Sequence, residues 1–161
     1  MNLIKVLCVY CTRTGHTKAL MQAISDKLGA ELVEITDGKN RSGMLGYVSA
    51  AIAGLSKSLP KIRDIQTANN MGEYDQVIVG MPIWSETTCP IAKAFLKKYG
   101  HDITGKVYYV VTHASDNLYE RPIQKLDEFL GRPHEAHLSV SSKKSDLSGE
   151  VEMFVAKVKG N

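Results

Sequence analysis

Between residues 10 and 18 the chain reads Tyr10-Cys11-Thr12-Arg13-Thr14-Gly15-His16-Thr17-Lys18. Three short hydroxyl side chains stand around a single glycine, directly after a run of apolar residues. A bound phosphate needs free backbone N–H groups, hydroxyl donors and a backbone that can be approached closely, and a helix N-terminus offers the first of these. Thr12, Thr14 and Thr17 supply the hydroxyls, and Gly15 the open backbone. Such hydroxyls also cap helices with no ligand present, but three of them around one glycine exceed what a cap uses. The stretch is neither a Gly-x-x-x-x-Gly-Lys-Ser/Thr loop nor a three-glycine dinucleotide fingerprint. The chemistry it suits is therefore a mononucleotide phosphate held without a metal. Arg13 and His16 stand where they either add charge to that loop or face solvent.

Two further stretches carry residues of unusual character. Gly80-Met81-Pro82-Ile83-Trp84-Ser85-Glu86-Thr87-Thr88-Cys89-Pro90 holds the only tryptophan, in an expected loop and not in a helical stripe. Trp84 there suits a partly buried core edge or a flat surface for stacking a ring. Thr112-His113-Ala114-Ser115-Asp116-Asn117 offers small residues, Ala114 and Ser115, for close backbone approach. His113 and Tyr119 stand where they cover a ring or remain ordinary surface residues.

The elements that must position these stretches follow from the apolar pattern. Leu3–Tyr10, Gln76–Gly80 and Lys106–Thr112 are short apolar runs of the kind buried on both faces of a parallel sheet. Glu31–Ile35 alternates as an edge strand, and Glu135–Val140 is the last strand. Helices are expected over Gly15–Leu28 with a stop at Gly29, Pro90–Tyr99, Pro122–Leu130 and Leu147–Val158. Thr36 to Glu73 is irregular, with a helical segment around Met44–Leu55. Strand and helix alternate throughout, which predicts a parallel sheet covered on both faces, in one domain spanning residues 1–161. In such sheets ligands bind beyond the carboxyl ends of the strands. The three stretches follow Tyr10, Val79 and Val111, and so lie at that edge.

At this point the residues support a comparison. Thr12-x-Thr14-Gly15-x-Thr17 resembles the phosphate loop of flavodoxins, Ser/Thr-x-Thr-Gly-x-Thr. Gly80-x-Pro82-x-Trp84, followed by small residues and a proline-started helix, resembles the flavin loop of the same family. Arg41-Ser42-Gly43-Met44-Leu45-Gly46-Tyr47 with Ala50-Ala51 resembles a stretch found in small bacterial and anaerobe flavodoxin-like proteins. The resemblance implies a doubly wound, five-stranded parallel sheet of order 2-1-3-4-5 and a bound flavin mononucleotide (FMN). It implies a phosphate held by Thr12, Arg13, Thr14, Gly15, His16 and Thr17, and a ring lined by Pro82, Ile83, Trp84, Ser85, Glu86 and Thr87. Thr112, His113, Ala114 and Tyr119 would close the third side, where the chain departs from the glycine-rich turn often found in relatives.

The function implied is low-potential electron transfer between redox partner proteins. The alternatives are an FMN-dependent NAD(P)H:quinone-type or flavin reductase, and a flavin-free interaction module. The net charge of +3 departs from the acidic character of shuttle flavodoxins. It points to an acidic partner or to a nicotinamide nucleotide. The basic stretch Lys57–Arg63 is interrupted, which gives no footing for nucleic acid. The apolar runs fall short of the ~20 residues of a membrane helix. Met1-Asn2-Leu3-Ile4-Lys5 runs straight into a strand-like segment and is not expected to act as a secretory leader, and three cysteines argue against a disulfide framework, so a cytoplasmic protein is expected. Cys8 and Cys11 should point to opposite faces of a strand. His134 and His137 should diverge likewise, which argues against a zinc site. Cys89 precedes Pro90 at a helix start, a position that favours a thiolate, with no base beside it in sequence.

Overall fold

A computed structural model describes residues 3–39, 46, 48, 52 and 58–160. Val6–Tyr10 forms the first strand, β1, and is buried at every position. Its side chains alternate between two cores. Leu7 and Val9 join one core, and Val6, Cys8 and Tyr10 the other. Helix α1 (His16–Leu28) then covers the second core with Leu20, Met21 and Ile24, and ends at Gly29 in the left-handed conformation that a helix stop favours. The chain returns as the half-exposed edge strand β2 (Glu31–Glu34).

The remaining elements are β3 (Gln76–Trp84), β4 (Thr87–Thr88), α2 (Pro90–Tyr99), β5 (Lys106–His113), α3 (Glu120–Leu130), β6 (Ala136–Ser141) and α4 (Ser148–Val158). Five parallel strands run in the order β2-β1-β3-β5-β6, and the two-residue β4 pairs antiparallel with β3. Counted among themselves, the parallel strands have the expected order 2-1-3-4-5. Helices α2 and α3 cover one face with Phe95, Leu96, Ile123 and Leu126, while α1 and α4 cover the other.

Most element bounds fall within a few residues of the expectation, and α2 coincides with it. The main departure is β3. Its expected end at Gly80 is overrun, because pairing with β5 continues to Pro82↔Thr112 and pairing with β4 then holds Ile83 and Trp84. Trp84 is thus the last residue of a strand and not part of a loop. The helical segment expected around Met44–Leu55 lies outside the described residues except for Gly46, Val48 and Ile52, as does most of the Arg41–Ala51 resemblance.

The two histidines also depart from expectation. His134 precedes β6 instead of lying in it, so the strand's alternation does not separate it from His137. The His134 Nε2 and His137 Nδ1 atoms are 2.8 Å apart. Asp127 bonds the outer nitrogen of His134 at 2.9 Å and Glu120 that of His137 at 2.8 Å. Among the described residues no group of three or more His, Cys, Asp or Glu is placed to hold a metal ion. No helix among them is long and apolar enough to cross a membrane.

At Gly105 the turn into β5 crosses the start of β3 so closely that a Cβ would lie 2.4 Å from the Asp75 carbonyl oxygen and 2.5 Å from that of Tyr74. Backbone cannot step aside as a side chain can. Gly105→Ala is expected to lower stability by about 2 kcal/mol, the usual scale of overpacking, read as a lower urea midpoint at unchanged slope.

A second consequence concerns alkaline pH. Burial pushes the Cys8 thiol up from 9.0 to about 12. Burial, followed by the neighbouring Cys89, pushes Cys11 up, and burial, followed by Asp127, does the same to Tyr109. The unfolded chain loses these protons first, so above the ordinary thiol value the folded state binds more protons than the unfolded one. These groups leave stability level below pH 9.0 and lower it between there and about 12. Urea midpoints measured across that range check it, and Cys8→Ala should make the decline shallower.

Candidate functional site

The site at the carboxyl edge starts from Gly80, in the middle of the buried strand β3. A Cβ there would sit 2.5 Å from Met21 Cγ, so α1 lies directly against the strand backbone. That approach sets the N-terminus of α1 between the ends of β1 and β5. Thr17, in the first turn of α1, is buried, and its hydroxyl meets the buried Thr112 hydroxyl of β5 at 2.8 Å. Ahead of the helix, the Gly15 N–H donates to Thr12 Oγ1 at 3.0 Å, and Gly15 itself takes φ 96°, a conformation suited to glycine. No side chain caps α1 among the described residues. The first-turn N–H groups therefore remain for an anion.

Pro82, Ile83 and Trp84 form a second wall. After Trp84 the chain reverses through Ser85 and Glu86, at φ 52° and 64°, into β4. Two left-handed residues make the tight turn that usually carries Asn-Gly. Ser-Glu in this conformation stores strain. Lys93 of α2 donates from Nζ to Thr87 Oγ1 at 2.8 Å and lies 5.9 Å from the Phe129 ring centre. Burial holds the Lys93 ammonium below its ordinary value. The buried Thr88 hydroxyl has no hydrogen-bond partner among the described residues.

The third wall is braced from behind. His113 is buried, with Nδ1 2.8 Å from the Ser115 carbonyl oxygen and Nε2 3.0 Å from Ser139 Oγ. The Tyr119 ring centre lies 5.2 Å from that of His113. The Tyr119 hydroxyl stands 2.9 Å from Ser115 Oγ and donates to Glu86 Oε1 at 3.4 Å. Tyr119 thus ties the third wall to the hairpin tip.

Between the walls lies a cleft of about 270 Å³. It brings together Thr12, Arg13, Thr14, His16 and Thr17 with Pro82, Ile83 and Trp84, and with Thr112, His113 and Ala114. Gly15 stands just beside it, on a groove between α1 and α4 that continues the cleft along Thr14, His16 and Thr112. Ser85, Glu86, Thr87 and Tyr119 are not among the residues lining the cleft; they form and brace the hairpin tip. Sequence reasoning passed over Ser142, which follows β6, donates its N–H to the His113 carbonyl at 2.7 Å and lines the cleft. Its position after the last strand, at the same sheet edge, is the signal that would have found it. It also passed over the closeness of Cys11 and Cys89, whose sulfurs are 3.1 Å apart.

No known protein-family profile matches the chain, and no curated protein sequence does. Solved structures do. A flavoprotein from Lactobacillus acidophilus NCFM, determined in complex with FMN, superposes with TM-score 0.73 at 20% identity, over 94% of this chain and 98% of that one. A flavodoxin, WrbA-like protein from Agrobacterium tumefaciens matches with TM-score 0.61 at 15% identity, over 98% of this chain and 96% of its own. Rubredoxin oxygen:oxidoreductase from the anaerobe Desulfovibrio gigas matches with TM-score 0.58 at 10% identity, over 96% of this chain and 34% of its own. At these identities the likeness is one of fold: the chain has the flavodoxin-like α/β fold expected from its sequence.

The strained turn yields its own test. Glu86→Gly removes a side chain from φ 64°, and is expected to raise stability by roughly 0.5–1 kcal/mol despite the loss of the long Tyr119 contact. Thermal and urea unfolding of the variant measure it.

Proposed function

We propose that the chain binds FMN in this cleft and transfers electrons between redox partner proteins. The reading is carried by one arrangement: an uncapped helix start with threonine hydroxyls on one wall, and a buried Trp84 across the cleft from it. The donor set fits a phosphate monoester, since hydroxyls and backbone N–H groups bind such an anion without a metal. The second wall fits a flat ring, being Pro82, Ile83 and Trp84 at the end of a strand. FMN bound in a neighbour of the same fold, from Lactobacillus acidophilus, supports the choice of ligand.

In this reading Thr12, Thr14, Thr17 and the first-turn amides of α1 hold the phosphate, while Arg13 and His16 add charge at its edge. Pro82 to Trp84 and Thr112 to Ala114 enclose the ring, Ser85 to Thr87 form the hairpin tip behind the first of these walls, and Tyr119 fixes the spacing of the two walls through Glu86 and Ser115. Bound FMN supplies one- or two-electron exchange, and the protein sets access and potential. The net charge of +3 favours an acidic partner protein.

Titration of the chain with FMN, followed by Trp84 fluorescence and flavin absorbance, tests the reading. One-to-one binding is expected. Thr14→Ala should weaken FMN by roughly tenfold, about the worth of one hydrogen bond to a charged group, and leave riboflavin unchanged because riboflavin has no phosphate. Absence of FMN binding overturns the reading in favour of a flavin-free interaction module. Steady oxidation of NADH or NADPH with a quinone and no partner protein would instead make the chain a reductase.

A further inference from the structure

Cys11 and Cys89 are 78 positions apart in sequence, yet their Sγ atoms are 3.1 Å apart in the folded chain. The backbone enforces this meeting. The Cys11 N–H donates to the Gly80 carbonyl and the Cys89 N–H to the Pro82 carbonyl, each at 3.1 Å. Carbonyls two apart on a strand point the same way, so both cysteines hang from one edge of β3 as neighbours. Both are free thiols, 1% and 0% exposed, and neither lines the cleft above them. The third thiol, Cys8, belongs to the core on the other face of the sheet.

We propose that Cys11 and Cys89 are a redox-modified site that closes to a disulfide, with hydrogen peroxide as its oxidant. The separation of the sulfurs is about 1 Å more than a disulfide bond, which a small side-chain movement covers. Burial limits the oxidant to a molecule near the size of water and shuts out bulky thiols and disulfides. Cys89 is the attacking sulfur. It accepts the hydrogen bond of the Cys11 thiol and occupies the N-cap of α2, beside the first-turn N–H groups of that helix. Lys93, one turn further on, adds positive charge beside it. Burial pushes the Cys11 thiol up, which keeps its proton in place until the second step.

The electrons balance over two steps. Cys89 sulfur attacks one peroxide oxygen: an S–O bond forms, the O–O bond breaks, and the departing hydroxide takes the Cys89 proton to leave as water. Cys11 sulfur then attacks Cys89 sulfur: the S–S bond forms, the S–O bond breaks, and the hydroxide leaves as water with the Cys11 proton. Two thiols are oxidised by two electrons, and one peroxide becomes two waters. The product ties the residue before Thr12 to the residue before Pro90. The two walls of the cleft are then covalently joined beneath the floor. This inference stands apart from flavin binding, and the chain free of FMN serves to test it.

The folded, full-length chain is treated with hydrogen peroxide, quenched, denatured in an alkylating agent and mapped by mass spectrometry. The expected result is a joined Cys11–Cys89 peptide, lighter by two hydrogens and separated again by dithiothreitol, with Cys8 alkylated throughout. Cys8→Ala should retain the cross-link in full, and Cys89→Ser should lose it completely. Full alkylation of Cys11 and Cys89 after treatment overturns the proposal, as does a cross-link that involves Cys8 or a second chain. The Cys8→Ala arm keeps the test decisive if Cys89→Ser fails to fold.

Discussion

At Gly80 the missing side chain lets the Met21 thioether rest on the backbone of the central strand. Much of the site geometry derives from that approach. It sets the depth of α1 against the sheet, and with it the position of the helix start relative to the ends of β1 and β5. The Thr17–Thr112 hydroxyl pair can form only at that depth, and it holds the helix start to β5 from within. The threonines of the loop inherit their positions from this pair and from the Thr12–Gly15 contact, so their arrangement does not wait for a ligand. A site for the proposed phosphate built this way is ordered by packing, which lowers the cost of binding.

The other two walls are positioned by different means. Pro82 offers no N–H to the sheet, and its carbonyl is taken by Cys89, which turns the chain from the hairpin into α2. The third wall depends on side chains, with His113 held between Ser115 and Ser139 and Tyr119 reaching across to Glu86. One wall is therefore fixed by helix-on-sheet packing, one by backbone pairing and one by a polar network. A substitution that loosens one of them leaves the other two largely in place.

The sheet and its helices were legible because their signals are local. Val77–Val79 and Val107–Val111 are continuous apolar runs, and Pro90 marks a helix start wherever it follows a turn. The threonine loop was legible for the same reason. The hairpin was not, because Ser85-Glu86 lacks the Asn-Gly chemistry that announces a two-residue turn, and Pro82 argues against a strand interior. Tyr119 in a left-handed conformation carries no sequence mark either. The meeting of Cys11 with Cys89 depends on which carbonyls of β3 they find, and the meeting of His134 with His137 on where β6 begins. Both are facts of register, which short-range pattern does not specify.

The hairpin also has a thermodynamic character of its own. β4 contributes only two residues to the sheet, its turn is strained, and the Thr88 hydroxyl is buried without a partner among the described residues. Free energy of local opening is not uniform in a folded protein, and segments with few bonds and stored strain lie at its low end. Amide protons at Ile83 and Thr88 are therefore expected to exchange with solvent through excursions of the hairpin alone, and those of Val77–Val79 through opening of the sheet. On that expectation the wall that carries Trp84 opens on its own through its short strand and strained turn, although Trp84 itself is packed in the core.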